Sequence, residues 1–243
     1  MRVLVTRPEP DAEATLERLA ALDIAAEIAP VMTRQTLSAR LPPPEGFAAL
    51  ALTSTNAIRA LEDLGALGAL LAKPVFAVGD RTAHEARQAG FDTVTAADGT
   101  LESLTTAIAL ARLSGPVLYP AGSHLSGDLA HALAPHGLLV ATVPVYEMVA
   151  ETQFPQTVAS ALAGGQFGAV LLYSRRTAEI FCDLVKDILP PEERRKLPVL
   201  CLSENVAKPL LEAHFSRVLL ADHPSEEAMM TLALAFAREQ TGS

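Results

Sequence analysis

The chain has 243 residues, half of them apolar, with a formal net charge of -9 and a pI near 5.1. That length and apolar content suit one large domain or two smaller ones with real cores, and the acidic balance leaves no extended basic surface for a nucleic-acid backbone. A small acidic substrate is still admissible, because a few Arg side chains and backbone N–H groups bind carboxylates inside a negatively charged protein.

The run Arg2–Thr6 directly after Met1 reads as a folded strand, so no secretion signal is expected and the protein is placed in the cytoplasm. Apolar runs such as Phe47–Leu52 and Val170–Tyr173 are far shorter than the roughly 20 residues of a membrane-spanning helix, and no membrane partner is expected. Cys182 and Cys201 lack Cys or His neighbours at metal-ligand spacing and read as buried, reduced core residues.

In chain order, the strand-like run Val3–Val5 precedes a helical pattern through Leu16 and Leu19, Leu50–Leu52 precedes a helix from Asn56, and Val75–Val78 precedes one from Thr82. Further strand runs are Val94–Ala96, Val117–Tyr119, Val140–Tyr146, Val170–Tyr173, Val199–Leu202 and Val218–Leu220. Such alternation predicts an α/β protein with parallel sheets covered by helices on both faces.

The chain also repeats itself. Phe47–Leu61 resembles Phe167–Phe181 at an offset of 120, with Ser54 meeting Ser174. At an offset of 124, Pro74, Val75, Ala83, Ala89, Phe91, Val94, Ala97, Asp98 and Glu102 meet Pro198, Val199, Ala207, Ala213, Phe215, Val218, Ala221, Asp222 and Glu226. A weaker echo at 114 sets Val3, Leu4, Leu19, Pro30 and Val31 on Val117, Leu118, Leu133, Pro144 and Val145. Two copies of one α/β unit imply two similar domains, with a ligand expected between them or at the carboxyl ends of parallel strands. Ala29–Leu37 and Val140–Ala150, rich in β-formers and each containing Pro, read as strand connections between the domains. The repeat alone leaves open whether the pairing is tandem or exchanged.

Most strands run into a polar turn that opens a helix: Thr6-Arg7-Pro8, Thr53–Asn56, Gly79–Thr82, Pro120–Ser123, Ser174–Thr177 and Ser203–Asn205. Helix N-termini carry unpaired N–H groups and a positive dipole end, so several together form an anion site. Arg7, Arg81, Arg175 and Arg176 add forked donors for carboxylates. Capping alone explains Ser or Asn at such places, at about 1 kcal/mol each, but not Arg beside the cap; binding is favoured for Arg7, Arg175 and Arg176. The G-x-G-x-x-G, G-x-x-x-x-G-K-[ST] and G-x-S-x-G fingerprints are all missing, which argues against dinucleotide, nucleotide and serine-hydrolase chemistry. No histidine is assigned to catalysis; His124, beside Gly122 and Ser123, comes nearest. Tyr146 closes the run Thr142–Tyr146 and is one of only three tyrosines. A phenol keeps its proton at neutral pH and donates it to a leaving hydroxyl, or else packs a hinge with its hydroxyl tied to backbone. Both readings stand.

The chain resembles the uroporphyrinogen-III synthases over essentially its whole length. The matching pieces are Val3–Pro8, Thr53–Ala57, Val78-Gly79 with Thr82-Ala83 and Gly90-Phe91, Val145-Tyr146-Glu147, the helix start at Ser174, and Glu226-Glu227-Ala228. The resemblance implies two Rossmann-like or flavodoxin-like parallel-sheet domains joined by a two-stranded β linker. One comprises 1–33 with 150–243, the other 38–140, and 29–37 and 141–149 form the linker. It implies a lyase that converts hydroxymethylbilane to uroporphyrinogen III with loss of water and inversion of ring D, in tetrapyrrole (heme) biosynthesis. It further implies no cofactor, no metal, a monomer, and substrate handed over by hydroxymethylbilane synthase. Tyr146 is the implied catalytic residue. Thr6, Arg7, Ser54, Thr55, Asn56, Gly79, Thr82, Gly122, Ser123, Ser174, Arg175, Arg176, Thr177 and Ser203 are the expected substrate-binding residues. Two departures stand out: Ala21-Leu-Asp23 where many members have Gly, and no basic residue around Ser126-Gly127-Asp128. A non-catalytic two-lobed binding protein for a small anionic ligand would show the same repeat, and turnover separates the two.

Overall fold

Short apolar strands alternating with amphipathic helices fold, in a computed structural model that describes residues 2–125 and 127–241, into two parallel-sheet units. In chain order the elements begin β1 (Arg2–Val5), α1 (Asp11–Ala20), β2 (Ala25–Ile28), β3 (Met32–Thr36), β4 (Ala49–Leu52), α2 (Thr55–Asp63) and β5 (Val75–Ala77). They continue with α3 (Asp80–Gln88), β6 (Val94–Ala96), α4 (Leu101–Leu110), β7 (Val117–Gly122), α5 (Leu129–Leu133) and β8 (Val140–Ala150). The last are α6 (Gln156–Ala163), β9 (Ala169–Leu172), α7 (Arg175–Val185), α8 (Pro191–Arg194), β10 (Val199–Cys201), α9 (Glu204–Glu212), β11 (Val218–Leu220) and α10 (Glu226–Thr241). One compact unit holds 1–33 and 149–243, the other 34–148, and the chain passes between them within β3 and β8.

The first unit is a five-stranded sheet in the order β11-β10-β9-β1-β2, parallel at every pairing. Its central strands β1, β9 and β10 are buried on both faces, which is why they read as continuous apolar runs. Val3, Val5, Ala169, Leu171 and Leu200 pack with Leu19, Met229, Ala233 and Phe236 on one side. An aromatic series, Phe154–Phe181–Phe215, with ring centroids 6.1 and 6.0 Å apart, lies among the buried side chains of the same unit.

The second unit is a six-stranded sheet in the order β3-β8-β7-β4-β5-β6. The pleat of β4 sorts its residues: Leu50 and Leu52 join Ile58, Leu61, Val75 and Leu118, whereas Ala49 and Ala51 join Phe76, Leu104, Ile108, Val117 and Tyr119. Each Leu fully buried in this way contributes about 1.5–3 kcal/mol.

The two sheets match in register at the repeat offsets. Leu50 pairs with Val75 as Val170 pairs with Val199, Val75 with Val94 as Val199 with Val218, and Ala49 with Val117 as Ala169 with Val3. Val117 pairs with Val140 as Val3 pairs with Ala26. The core of each unit is therefore the same sheet, with β9, β10, β11, β1 and β2 answering to β4, β5, β6, β7 and β8.

Two local features depart from the sequence reading. β2 has the composition Ala-Ala-Glu-Ile, poor in β-formers, and is an edge strand stabilised by its parallel pairing with β1. Residues 29–31, read as part of a linker strand, lie between β2 and β3, where the Ala29 and Val31 amides donate to the Val5 and Thr6 carbonyls. Asp23 adopts φ 58 in the turn between α1 and β2, the left-handed region where Gly costs least and Asp is tolerated.

Candidate active site

In the second unit the chain runs β4, β5, β6 outward on one side and then crosses to β7 and β8 on the other, so the strand order reverses between β4 and β7. Ligands of open parallel sheets sit at the carboxyl ends of the strands at such a reversal. A pocket of about 520 Å3 opens there, lined by Thr53 and Ser54 after β4, Val78 after β5, Gly99 and Leu101 at the start of α4, Tyr119 and Gly122 on β7, His124, Leu125 and Gly127 beyond it, and Tyr146 on β8. Among these described residues there is no Lys, Arg, Asp or Glu. Ser126, in the stretch noted for its missing basic residue, lies outside the described residues. What the pocket offers a ligand is hydroxyls, backbone groups and one imidazole.

Tyr146 is aimed by a β-bulge. Ala121 pairs with Pro144 but Gly122 with Tyr146, so Val145 is the extra residue on β8. Pro144 has no N–H to give the ladder, and an irregularity in the pairing accommodates it. Val145 turns into the core, while the Ser123 amide donates to the Tyr146 carbonyl at 2.9 Å. The Tyr146 ring then lies against Gly122: a Cβ at that glycine would stand 2.9 Å from Cζ and 3.1 Å from the hydroxyl oxygen. Only a residue without a side chain lets the phenol approach so closely. Tyr119 is 4% exposed, its ring in the core beside α4 and α5 and its hydroxyl hydrogen-bonded to Thr53 Oγ1 at 2.8 Å. Burial chiefly, with Tyr146 nearby also contributing, pushes the Tyr119 phenol above its ordinary range, against the opposing effect of the Thr53 hydrogen bond, so it stays protonated.

Of the sequence-derived residues in this unit, Ser54, Gly122 and Tyr146 line the pocket. Ser54 also caps α2, accepting from the Asn56 amide at 3.2 Å. Ser123 Oγ bonds His124 Nδ1 at 3.1 Å. Thr55, Asn56, Gly79 and Thr82 occupy the same helix starts outside the lining: Thr55 and Thr82 are buried, Asn56 donates to Met148 Sδ and accepts from Arg59, and Gly79 precedes α3.

At the matching strand ends of the first unit stands a polar network built on charged groups. The Arg7 guanidinium, 7% exposed, pairs with Glu226 and with Asp11 at 3.1 Å, donates to Thr15 Oγ1 at 3.0 Å, and stacks 4.1 Å from the Tyr173 ring centroid. Burial disfavours the Arg7 charge, but Glu226 and Asp11 outweigh it and its pKa rises. Burial and Glu226 together hold the Tyr173 phenol far above its usual range; its hydroxyl donates to Glu226 Oε1 at 3.1 Å. Arg18 adds a longer pair to Glu226 at 3.3 Å. Thr6 Oγ1 donates to the Leu171 carbonyl inside the sheet at 2.8 Å. Thr6 and Arg7 are thus engaged by the protein itself.

Ser174 caps α7, accepting from the Thr177 amide at 3.1 Å, and Thr177 is buried behind it. Arg175 pairs with Glu179 on the surface at 2.8 Å, Arg176 is exposed in the same turn, and Ser203 opens α9 without a side-chain cap bond. Burial pushes the thiols of Cys182 and Cys201 up to about 12, which makes both poor nucleophiles at neutral pH. Among the described residues, no group of three or more His, Cys, Asp or Glu is placed to hold a metal ion, and no helix is long and apolar enough to cross a membrane.

The sequence reading did not single out Tyr119, Thr53, Glu226 or Tyr173 for these positions. Tyr119 reads as a core residue on a strand, although its scarcity was a signal. Glu226 lies 219 positions from Arg7; the repeat, which sets it on Glu102, and the family-like Glu226-Glu227-Ala228 marked it, but neither pointed to Arg7.

The comparisons agree with one another. A family model described as uroporphyrinogen-III synthase HemD matches residues 13–231. The uroporphyrinogen-III synthetase structure from Helicobacter pylori is similar with a TM-score of 0.68 at 20% identity, covering 97% of this chain and 99% of that one. A mutant uroporphyrinogen III synthase from the extremely thermophilic bacterium Thermus thermophilus is similar with a TM-score of 0.55 at 18% identity over the full length of both. A sequence comparison with curated proteins returned no significant match.

Proposed function

The chain belongs to the uroporphyrinogen-III synthase family, and from that membership we propose that it is a lyase converting hydroxymethylbilane to uroporphyrinogen III. The observation that carries the reading is the family match over residues 13–231, which takes in both parallel-sheet units. The pocket of the second unit supports it: a phenol is fixed by a bulge and a glycine at a strand-order reversal, among neutral donors suited to a flexible substrate.

In the proposed reaction the Tyr146 hydroxyl protonates the leaving hydroxyl of the bilane as the carbon–oxygen bond breaks, and water departs. The carbon freed of its hydroxyl bonds to the linked carbon of ring D, the bond from that carbon to its original methylene breaks, and the methylene bonds instead to the terminal carbon of ring D, whose lost proton restores the phenol. The net change is loss of one water. Because the bilane closes unaided to the uninverted isomer, the enzyme has mainly to favour one route. A hundredfold preference corresponds to about 2.7 kcal/mol of differential transition-state stabilisation, within reach of restraint plus a few hydrogen bonds. Ser54 and Gly122 are the substrate-binding residues this geometry supports best; Ser123 beside Gly122, and Ser174, Arg175, Arg176 and Ser203 at the strand ends of the first unit, are proposed as further contacts. Family membership is also the ground for proposing a monomer in the cytoplasm, with residues 29–37 and 141–149 as the connections between domains and hydroxymethylbilane synthase as the supplier of substrate.

The test is to supply freshly made hydroxymethylbilane, oxidise the products and separate the porphyrin isomers. Predominant type III is expected. Type I alone, from folded protein, would remove the assignment.

A further inference from the structure

The hydroxyl of Tyr119 is not needed by the core that holds its ring. Phe would fill the same space among Ala49, Ala51, Leu104 and Ile108, and burying a hydroxyl carries a penalty unless it is bonded. Its partner is Thr53 Oγ1 at 2.8 Å, and both residues line the pocket in which Tyr146 stands. Two hydroxyls that share one hydrogen bond hold two protons and use one. Whichever oxygen donates, the pair keeps one O–H for a third acceptor. Among the described lining residues no Lys or Arg competes for a carboxylate.

We propose that Thr53 and Tyr119 form a neutral donor pair that binds a side-chain carboxylate of the tetrapyrrole substrate and sets its position relative to Tyr146. The proposal rests on the reading of the chain as a uroporphyrinogen-III synthase and assigns the pair to binding, not to the bond-breaking step. A neutral donor suits this place because its proton does not come and go near neutral pH and because it requires no buried counter-charge. Tyr119 is fixed by its packing and holds Thr53 through their shared bond, so the pair is positioned before the ligand arrives, whichever oxygen carries the free O–H. The first unit departs at the matching positions: Tyr173, offset by 120 from Thr53, is bonded to Glu226, a carboxylate of the chain itself.

The experiment is Tyr119→Phe, which keeps the ring and deletes only the oxygen. For type III formation, KM is expected to rise about tenfold or more, as for a lost hydrogen bond to a charged acceptor, with kcat within about a factor of two. Thr53→Val is expected to behave alike, and the double variant no worse than the worse single one, because each breaks the same pair. A purely structural role would lower the melting temperature without that split. Unchanged KM in folded Tyr119→Phe overturns the proposal, as does a fall in kcat at constant KM. If the unaltered protein makes no type III isomer, the activity assignment fails separately. Equilibrium dialysis with uroporphyrin III then decides: binding about tenfold weaker in Tyr119→Phe supports the pair, and equal binding, or none by the unaltered protein, overturns it.

Discussion

The contact between Tyr146 and Gly122 places a phenol where no larger neighbour would allow it. Tyr146→Phe is expected to lower kcat for type III formation about tenfold or more without abolishing it, since departure of the hydroxyl, the step the phenol assists, also proceeds unaided. Gly122→Ala is expected to act in the same direction, because the new Cβ falls 2.9 Å from Tyr146 Cζ and the ring must move. The chain has no Trp, so near-UV circular dichroism reads the displaced tyrosine directly. Normal kcat in either folded variant would take Tyr146 out of the chemistry. Arg7 gives the opposite lesson. Its place beside a helix start suggested a free anion-binding fork, but Glu226, 219 positions away, meets it inside the same unit. Glu226→Ala leaves a guanidinium whose side chain is only 9% exposed without its main counter-charge. About 2–3 kcal/mol of stability is expected to go with it, measured by urea unfolding, less than the full buried-pair penalty because Glu226 is partly solvated. Arg7→Met with Glu226→Leu should be milder than Glu226→Ala alone. A single variant as stable as the parent would show that the pair contributes nothing. Scarcity and position drew attention to Tyr146, which lines the pocket, and the family resemblance suggested its role; the partners of Tyr119 and Glu226 were not legible, because local sequence does not place them side by side.

At the scale of elements, helix starts carry two demands at once. Ser54 and Ser174 each accept from an amide in the first turn of their helix, and Ser→Ala at either is expected to cost about 1 kcal/mol by thermal unfolding. Ser54 also lines the pocket, so Ser54→Ala is expected to raise KM as well; a stability loss with KM untouched would reduce it to a cap. The strands of buried Val, Leu and Ala were readable as runs because both faces of each sheet are covered. β2 was not, since Ala-Ala-Glu-Ile has neither alternation nor β-branched residues until its last position and is held by pairing with β1. The bulge was half readable: Pro144 signalled that the ladder would break, but only the pairing of Gly122 with Tyr146 shows where the following side chains turn.

Over the whole chain, the repeat proved more informative than any motif. Offsets of 120, 124 and 114 found by comparing the sequence with itself are the offsets at which strand pairings recur between the two sheets, down to individual residues. That agreement follows from physics: a one-residue slip would turn every buried side chain of a strand to the opposite face, so register is preserved even as identities drift. Which repeat segments share a sheet is decided by long-range pairing and was not readable from the offsets. The family, reached from short motifs in order, supplies the reaction, and the pocket is where residues for it are proposed. The most direct test is the ratio of type III to type I porphyrin as a function of protein concentration at fixed hydroxymethylbilane, since the unaided closure makes type I at a constant rate. The ratio is predicted to climb with protein until type III accounts for nearly all product. A ratio that stays at the unaided value across the titration, with the bilane bound by folded protein, would contradict the account and leave a two-lobed binding protein in its place.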